Sequence, residues 1–556
     1  MHPMLAEALQ TLCNGLDRKA LVKASDWAVK YRVMGGERPG PWNFRHFPWA
    51  KQIHDTPAER VCVMKGAQLG ITEVAINLAL KWIDIDCANV LYLLPTEGGA
   101  NKFSAARIEP ALESSEHLKK IFANTKNIGH KRAGMANLFI RGTRSKEGLK
   151  SDPISLLVED ELDEMEQDNL PLAEERMSGH SHRKLFQIST PTVADYGIAA
   201  AYKNSTQNQY IFKCPFCSRQ TLLTYPECLC ITAEDTEDPK ILESFIMCRE
   251  CKHKLDHQTK HEWLGLENAG WVPTFKDRLT DGYGLNQLYS TKEPPYSIAK
   301  SALKARLDPI SEQEFYNSKL GLTHKISGAQ VDDEAIAKCV KQYRQTRPNE
   351  VKAADPNYFC TMGIDIGIQK HFEIDQWFID RNAPEADLNL KATCRMIRCG
   401  TVRSFDELHY LIVQYFPKFV VVDAQPERTM SAELVKKFYG IARCCFYAGG
   451  CTGRQIVVRP AEDGSISVDR TSWMDLAIMR FMNGKMQIPF DTPLDYKAHI
   501  KAPIKHYGRD RDGNPVARYI TGESTPDHYA HARTYSEIAF RMATSRGHSQ
   551  NLAGVI

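Results

Sequence analysis

The hydrophobic positions of this chain fall into short runs, and many of these are separated by stretches of helical period. In the first half VCVM (61–64), VLYLL (90–94), ISLLV (154–158) and KLFQIS (184–189) read as buried strands, and TEVAINLALKW (72–82) reads as a mostly apolar helix. Such alternation predicts a parallel α/β sheet with its ligands along one edge. In the second half, strands at 358–366, 372–379 and 389–399 precede a helix at 404–416, a strand at 418–423, a helix at 429–439 and a short strand, CCFYAG. A last helix is expected over 525–542, opened by Thr525-Pro526-Asp527. Residues 327–357 are polar and charged, with prolines near their end, and read as a helical linker into a new domain.

Composition narrows this picture only in part. At 556 residues the chain exceeds what one core holds, since single cores stop growing near ~250–300 residues. It contains no uncharged apolar run of about 18 residues, and its first residues lack a charged-then-apolar signal. A protein that stays in the cytoplasm is expected, with no membrane partner. The 16 cysteines are diluted over a long chain, which favours reduced thiols with one metal-binding subset. A formal net charge of +3 neither supports nor excludes nucleic acid, so any DNA contact must use local basic surface.

Candidate chemistry begins between the first strand and its helix, at Lys65, Gly66, Ala67, Gln68, Leu69, Gly70, Ile71 and Thr72, followed by Glu73. A strand, a glycine-containing turn and a helix opening on Thr aim backbone N–H groups at a phosphate and a hydroxyl at Mg²⁺. Against the usual phosphate-loop pattern, Lys65 holds the first Gly position and Ile71 the usual Lys position. An ammonium group is required near the β/γ-phosphates, and Lys65 can supply it from the other side; alone, the segment also fits an ordinary strand-turn-helix. The strand at 154–158 runs into Glu159-Asp160-Glu161-Leu162-Asp163, where Asp160 is assigned to the metal and Glu161 to the catalytic base. A solvated acidic helix cap is the plainer alternative. The strand at 184–189 ends in Ser189-Thr190-Pro191-Thr192, a position from which motor ATPases sense the γ-phosphate.

Cys214 and Cys217, then Cys248 and Cys251, form two C-x-x-C knuckles that suit a closed tetrahedral Zn²⁺ site in a zinc ribbon of structural role. Cys228, Cys230, His253 and His257 lie nearby without that paired spacing. In the second half, Asp365 interrupts an apolar strand, a costly placement unless it binds something, and Asp423 ends the fourth strand. Three strands, a helix, a strand, a helix and a strand is the order of a ribonuclease H-like fold, which makes the first and fourth strands neighbours. Asp527, at the start of the last helix, is the expected third carboxylate, with His528 and His531 joining or flanking it. Three carboxylates can hold two Mg²⁺ or Mn²⁺ ions for in-line hydrolysis of a phosphodiester. Lys497, Lys501, Lys505, His506, Arg509 and Arg511 form a basic run beside an expected hairpin at Asp512-Gly513.

In order, Pro48, Gln52, VMKGAQLGITE, LLPTE, Arg107-Ile108-Glu109-Pro110, DELDE and ISTPT resemble the ATPase motifs of lambda-like large terminase subunits of tailed bacteriophages. Residues 281–291 resemble a stretch beyond that family's cysteine module, and the family also tends to use a loop-initial lysine. The resemblance implies a P-loop ATPase with a zinc-ribbon-like insert, then a ribonuclease H-like nuclease. Its implied segments are 1–40 as a contact for the small terminase subunit, 41–208 as the ATPase core, 209–275 as the zinc module, 276–354 as the end of the ATPase region and linker, 355–545 as the nuclease, and 546–556 as a tail. It implies Gln52 for adenine, Thr72 for Mg²⁺, and an arginine finger among Arg107, Arg141 and Arg144. It further implies ATP-driven movement of double-stranded viral DNA into the procapsid and cutting of concatemers. The implied partners are the small subunit, the portal protein and other copies in a ring, in the host cytoplasm and not in the mature virion. An ATP-dependent helicase or transposition-type remodelling protein is the alternative, but 355–545 carries no second phosphate loop.

Overall fold

The computed structural model describes residues 22–544 apart from 36–38, 123–126, 151, 327, 353–357, 380–390, 448–458, 462, 510–514 and 523–524. It divides into two compact units, Met1–His324 and Lys325–Ile556. The segment 546–556, the tip at Asp512-Gly513, and Arg511 lie outside the described residues, as does most of 1–40. Among the described residues no helix is long and apolar enough to cross a membrane.

In the first unit the apolar runs become neighbours because each strand needs partners for its backbone groups. The strands β1 (Arg60–Lys65), β2 (Val90–Leu94), β3 (Leu156–Asp160), β4 (Lys184–Ser189) and β5 (Thr280–Leu285) lie in the order β5-β1-β4-β3-β2, all parallel. Ala136–Gly142 continues the parallel sheet beyond β2, and Asn208–Lys213 does so beyond β5. Every residue of β2 and β3 is buried, as expected of strands covered on both faces. Helix α1 (Ile71–Asp84) follows β1 and is buried almost all round, so its polar Glu73 and Asn77 need internal partners. Arg32 supplies them, at 2.5 Å to Glu73 Oε2 and 2.6 Å to Asn77 Oδ1.

Two expectations change here. The segment 209–275 is not wholly separate, because Asn208–Lys213 and Ala269–Val272 pair within the main sheet. The alternating, buried Tyr210 and Phe212 explain why: they pack into its core. What stands apart is a small sheet of Leu229–Cys230, Phe245–Met247 and Lys254–Leu255. Second, the division falls at 324/325, so 325–354 belongs with the second half and not with the ATPase region. Its helix Asp333–Cys339 buries Ile336 and Cys339 among Trp377, Met474 and Phe481, and Val340–Lys341 pairs with Met486–Pro489.

In the second unit β6 (Cys360–Asp365), β7 (Lys370–Phe378) and β8 (Thr393–Val402) form an antiparallel meander. On the other side of β6, β9 (Phe419–Asp423) and β10 (Ala442–Tyr447) add parallel strands, with helices Phe405–Tyr415 and Arg428–Lys437 in the connections. Helix α2 (Tyr496–Lys501) precedes a hairpin of Pro503–Arg509 with Pro515–Thr521, and α3 (His528–Thr544) lies against β6. Gly363 permits that approach: a Cβ there would fall 2.0 Å from Ala532 O and 2.2 Å from Ser536 N. Beneath α3, buried Arg533 binds Asp375 at 2.7 Å and Glu537 at 2.5 Å, and buried Arg480 makes two bonds to Glu537. Charges this deep are tolerable only when paired and hydrogen-bonded, so the network fixes α3 on β7.

Candidate functional site

In the first unit the carboxyl ends of β1, β3 and β4 share one edge, with Met64 opposite Ser189 and Ile188 opposite Asp160. The loop after β1 is held from behind. Gly66 N–H donates to Leu285 O (2.8 Å), Ala67 N–H to Ser318 O (2.6 Å), and the Trp49 indole to Leu69 O (3.0 Å). Gly70 has φ +79°, and a Cβ would meet the Phe47 ring at 2.7 Å, so both the turn and the packing require glycine. Because Gly66 and Ala67 have spent their N–H groups on neighbouring carbonyls, they cannot cradle a phosphate without breaking those bonds.

Lys65, Thr72 and Asp160 converge. Burial lowers the Lys65 pKa, and the carboxylates of Asp160 and Glu161 oppose that shift. Burial raises Asp160, opposed by the Tyr92 hydroxyl at 2.7 Å, by the Lys65 charge and by the Thr72 hydroxyl. A hydroxyl, a carboxylate and an ammonium thus meet at the mouth of the loop, a hard-oxygen set that fits Mg²⁺ beside phosphates. Glu161 has φ +69° and its N–H is bonded to Ile188 O at 2.9 Å; partial desolvation of its carboxylate and the Asp160 charge raise its pKa. A non-glycine residue in this region is uncommon, and it aims the carboxylate off the strand. Glu159 points the other way, fully buried against Gln187 at 2.8 Å.

Glu73 binds Arg32 and Arg107 (2.6 Å), so its carboxylate is engaged by two arginines. Of the finger candidates, Arg107 is the one whose charge reaches Asp160, while Arg141 is held by Gly148 O and Asp152 and Arg144 is exposed. Gln52 is exposed, and its Oε1 accepts from Trp271 N–H at 3.0 Å. Ser189 accepts from Asp163 N–H (3.2 Å) and donates to Thr190 O (2.9 Å). The Asp163 carboxylate takes Thr192 N–H, Thr192 Oγ1 and Ile198 N–H, each at 2.8 Å. Asp163 and Thr192 therefore tie the acidic turn to the Ser-Thr turn. The sequence signal for this was present in DELDE and ISTPT, but not the pairing.

Cys214, Cys217, Cys248 and Cys251 each offer a sulfur, all within 4.8 Å of one another. The two knuckles repeat one geometry: Ser218 N–H to Cys214 O at 2.9 Å, Lys252 N–H to Cys248 O at 3.0 Å, with positive φ at Ser218 and Lys252. Cys228 lies apart, its thiol on Leu222 O.

In the second unit Ile364 pairs with Val422, so Asp365 and Asp423 leave adjacent parallel strands side by side. Burial pushes Asp423 up to about 6, and the Asp365 charge adds to this. Asp365 faces His371 across β6 and β7, and His528 Nδ1 lies 2.9 Å from Asp365 Oδ2. Asp527 is engaged elsewhere, with Thr521 Oγ1 at 2.6 Å, His531 at 3.3 Å and Arg470 at 3.6 Å. Burial opposes its ionised form, but these three partners hold it below the usual carboxylate range. Among the described residues His371 and His528 are the side chains grouped with Asp365 closely enough to share a cation, and His531 is not in that group. Within the basic run, Lys501 is paired to Asp333 at 2.6 Å and Lys505 to Asp475 at 2.7 Å.

The first unit carries a parallel sheet whose edge gathers Lys65, Thr72 and Asp160, and the second carries Asp365 and Asp423 at the ends of adjacent parallel strands, which makes a two-part α/β protein. Residues 36–271 match the family described as phage terminase large subunit gpA, ATPase domain. That match covers a little under half of the chain, and two curated proteins are similar to it at low identity. The chain is 23% identical over 366 residues to the terminase large subunit of Escherichia phage lambda, covering 58% of this chain and 55% of the relative. To that of Enterobacteria phage P21 it is 22% identical over 392 residues, covering 63% and 59%. The chain thus spans little more than half the length of these relatives. The crystal structure of the HK97 bacteriophage large terminase shares its fold, with TM-score 0.51 and 10% identity over 93% of this chain and 98% of the other.

Proposed function

We propose that the chain drives double-stranded viral DNA into a procapsid at the expense of ATP and cuts the concatemer with a divalent-metal nuclease. The observation that carries this reading is the convergence of Lys65, Thr72 and Asp160 inside the segment that matches the terminase ATPase family. Lys65 neutralises charge at the β/γ-phosphates, and the N–H groups from Gln68 to Thr72 orient them. Thr72 and Asp160 would hold Mg²⁺, which would supply charge neutralisation for phosphoryl transfer. Glu161 orients the attacking water. Asp163, bonded to Thr192 and backed by Ser189, transmits the change at the acidic turn to the Ser189-Thr190 segment. Arg107 is the favoured finger, and Gln52 retains its amide N–H₂ for adenine.

In the second unit the ribonuclease H-like strand order supports assigning Asp365 and Asp423 to divalent cations, which supply an activated water and a counter-charge for the leaving oxygen. Asp527 serves at the edge of this set, where Arg470 and His531 keep it ionised. Zn²⁺ on Cys214, Cys217, Cys248 and Cys251 staples a ribbon-like module of structural role. The small terminase subunit, the portal protein and further copies in a ring are the partners that the family assignment implies.

Two solution assays test this. The full chain should hydrolyse ATP faster when duplex DNA is added, and should nick DNA with Mn²⁺ or Mg²⁺ but not in EDTA. A chain that binds DNA yet does neither is a scaffold, and the reading fails.

A further inference from the structure

Beside Asp365 the second unit gathers another set of metal-ligating side chains. His371 lies on β7. Asp495 and His499 come from the turn before α2 and from α2 itself, one helical turn apart, with His499 N–H bonded to Asp495 O at 2.9 Å. Residues at this spacing share one face. His371, Asp495 and His499 each offer a ligand atom, and these atoms lie within 4.8 Å of one another.

A second observation points to a ligand. His371 is 6% exposed and His499 5%, and Nδ1 of each is buried without a hydrogen-bond partner. Leaving a buried polar atom unsatisfied costs roughly 1–3 kcal/mol, so two such atoms beside a carboxylate are an expensive arrangement unless something binds them. The rings are also held in place: Tyr529 lies 4.8 Å from His371 and 5.3 Å from His499 between centroids, and His528 stacks on His371 at 4.6 Å. Asp495 is exposed, which leaves the set open to solvent on one side.

We propose that His371, Asp495 and His499 bind a divalent transition-metal cation of the Zn²⁺ and Co²⁺ class, at a position distinct from the Asp365–Asp423 pair. Two imidazoles and one carboxylate suit such cations, whereas Mg²⁺ selects oxygen donors. His371 is common to this set and to the group Asp365, His371 and His528, so a cation here fixes the ring that faces Asp365. The inference stands whether or not the second unit cuts DNA.

The test is Co²⁺ binding to the metal-stripped full chain, followed by equilibrium dialysis and visible absorption, in wild type, Asp495→Asn and His499→Gln. The thiolate site announces itself by sulfur-to-cobalt charge transfer, so it is counted separately. Both variants should weaken a Co²⁺ site that lacks that band by tenfold or more, with unchanged far-UV circular dichroism. Millimolar Mg²⁺ should not displace this cation, and Asp423→Ala should retain it even where cleavage is lost. Wild-type Co²⁺ binding in the folded Asp495→Asn variant would overturn the proposal, as would displacement by Mg²⁺, which would place the cation on the carboxylate pair. Should His499→Gln fail to fold, Asp495→Asn, altered at an exposed position, decides alone.

Discussion

In the first unit the charged groups at the sheet edge are one another's partners: Lys65 faces Asp160 and Glu161, and Asp160 accepts from Tyr92 and Thr72. In the second unit Asp365 and Asp527 have partners, but other groups beside them are left wanting. Asp423 is pushed up to about 6 by burial, and His371 and His499 keep unpartnered nitrogens. The first arrangement lets the loop hold its shape without a ligand, because its charges are already compensated. The second stores its unmet demand at the point where cations would satisfy it, and relies for rigidity on the ionic network under α3.

That contrast can be broken from below. Arg533→Ala leaves Asp375 and Glu537 buried with a partner missing, and should destabilise the second unit by about 3–5 kcal/mol. Thermal unfolding followed by calorimetry should show the second unit melting earlier while the first keeps its transition. A shift of both transitions by equal amounts would mean that the network is not local to α3.

The first unit is sharpened by pH. Burial pushes Glu159 up to about 8, opposed by its bond from Gln187. A carboxyl whose folded pKa is raised has its full stability below the unfolded value near 4.5, and loses it as pH climbs toward about 8. Glu159→Gln keeps a neutral side chain of the same shape there. It should remove a loss on the order of 3 kcal/mol between pH 5 and pH 8, read from denaturant midpoints. An unchanged pH slope in the variant would show that Glu159 is not the group responsible.

Much of the first site was legible because its residues are close in sequence to the strands that carry them. A short apolar run followed by a charged residue marks a strand's carboxyl end, and Lys65, Asp160 and Ser189 all follow such runs. Asp365 and Asp423 were legible for the same reason. What escaped was whatever tertiary packing assembles. The strand Thr280–Leu285 sits beside β1 although its glycines and polar residues give no clean strand signal, and its Leu285 carbonyl takes the Gly66 N–H. Glu373 and Asp375 alternate on β7 as solvent-facing residues would, yet they turn inward to tyrosine and arginine partners. His371 and His499 come together only when α2 docks. Asp527 stands out in sequence by its place at a helix start, but its ion pair with Arg470, 57 residues away, does not.

A crossed pair of single variants tests the division of labour most directly. In the full chain, Lys65→Ala should lower DNA-stimulated ATP hydrolysis by roughly 100-fold or more, the scale for removing a group that stabilises transition-state charge, while Mn²⁺-dependent cleavage without ATP persists. Asp423→Ala should abolish that cleavage and leave ATP hydrolysis near wild type. Loss of both activities in either folded variant, or survival of ATP hydrolysis in Lys65→Ala, would contradict the assignment of the displaced lysine to the motor and the strand-end aspartate to the nuclease.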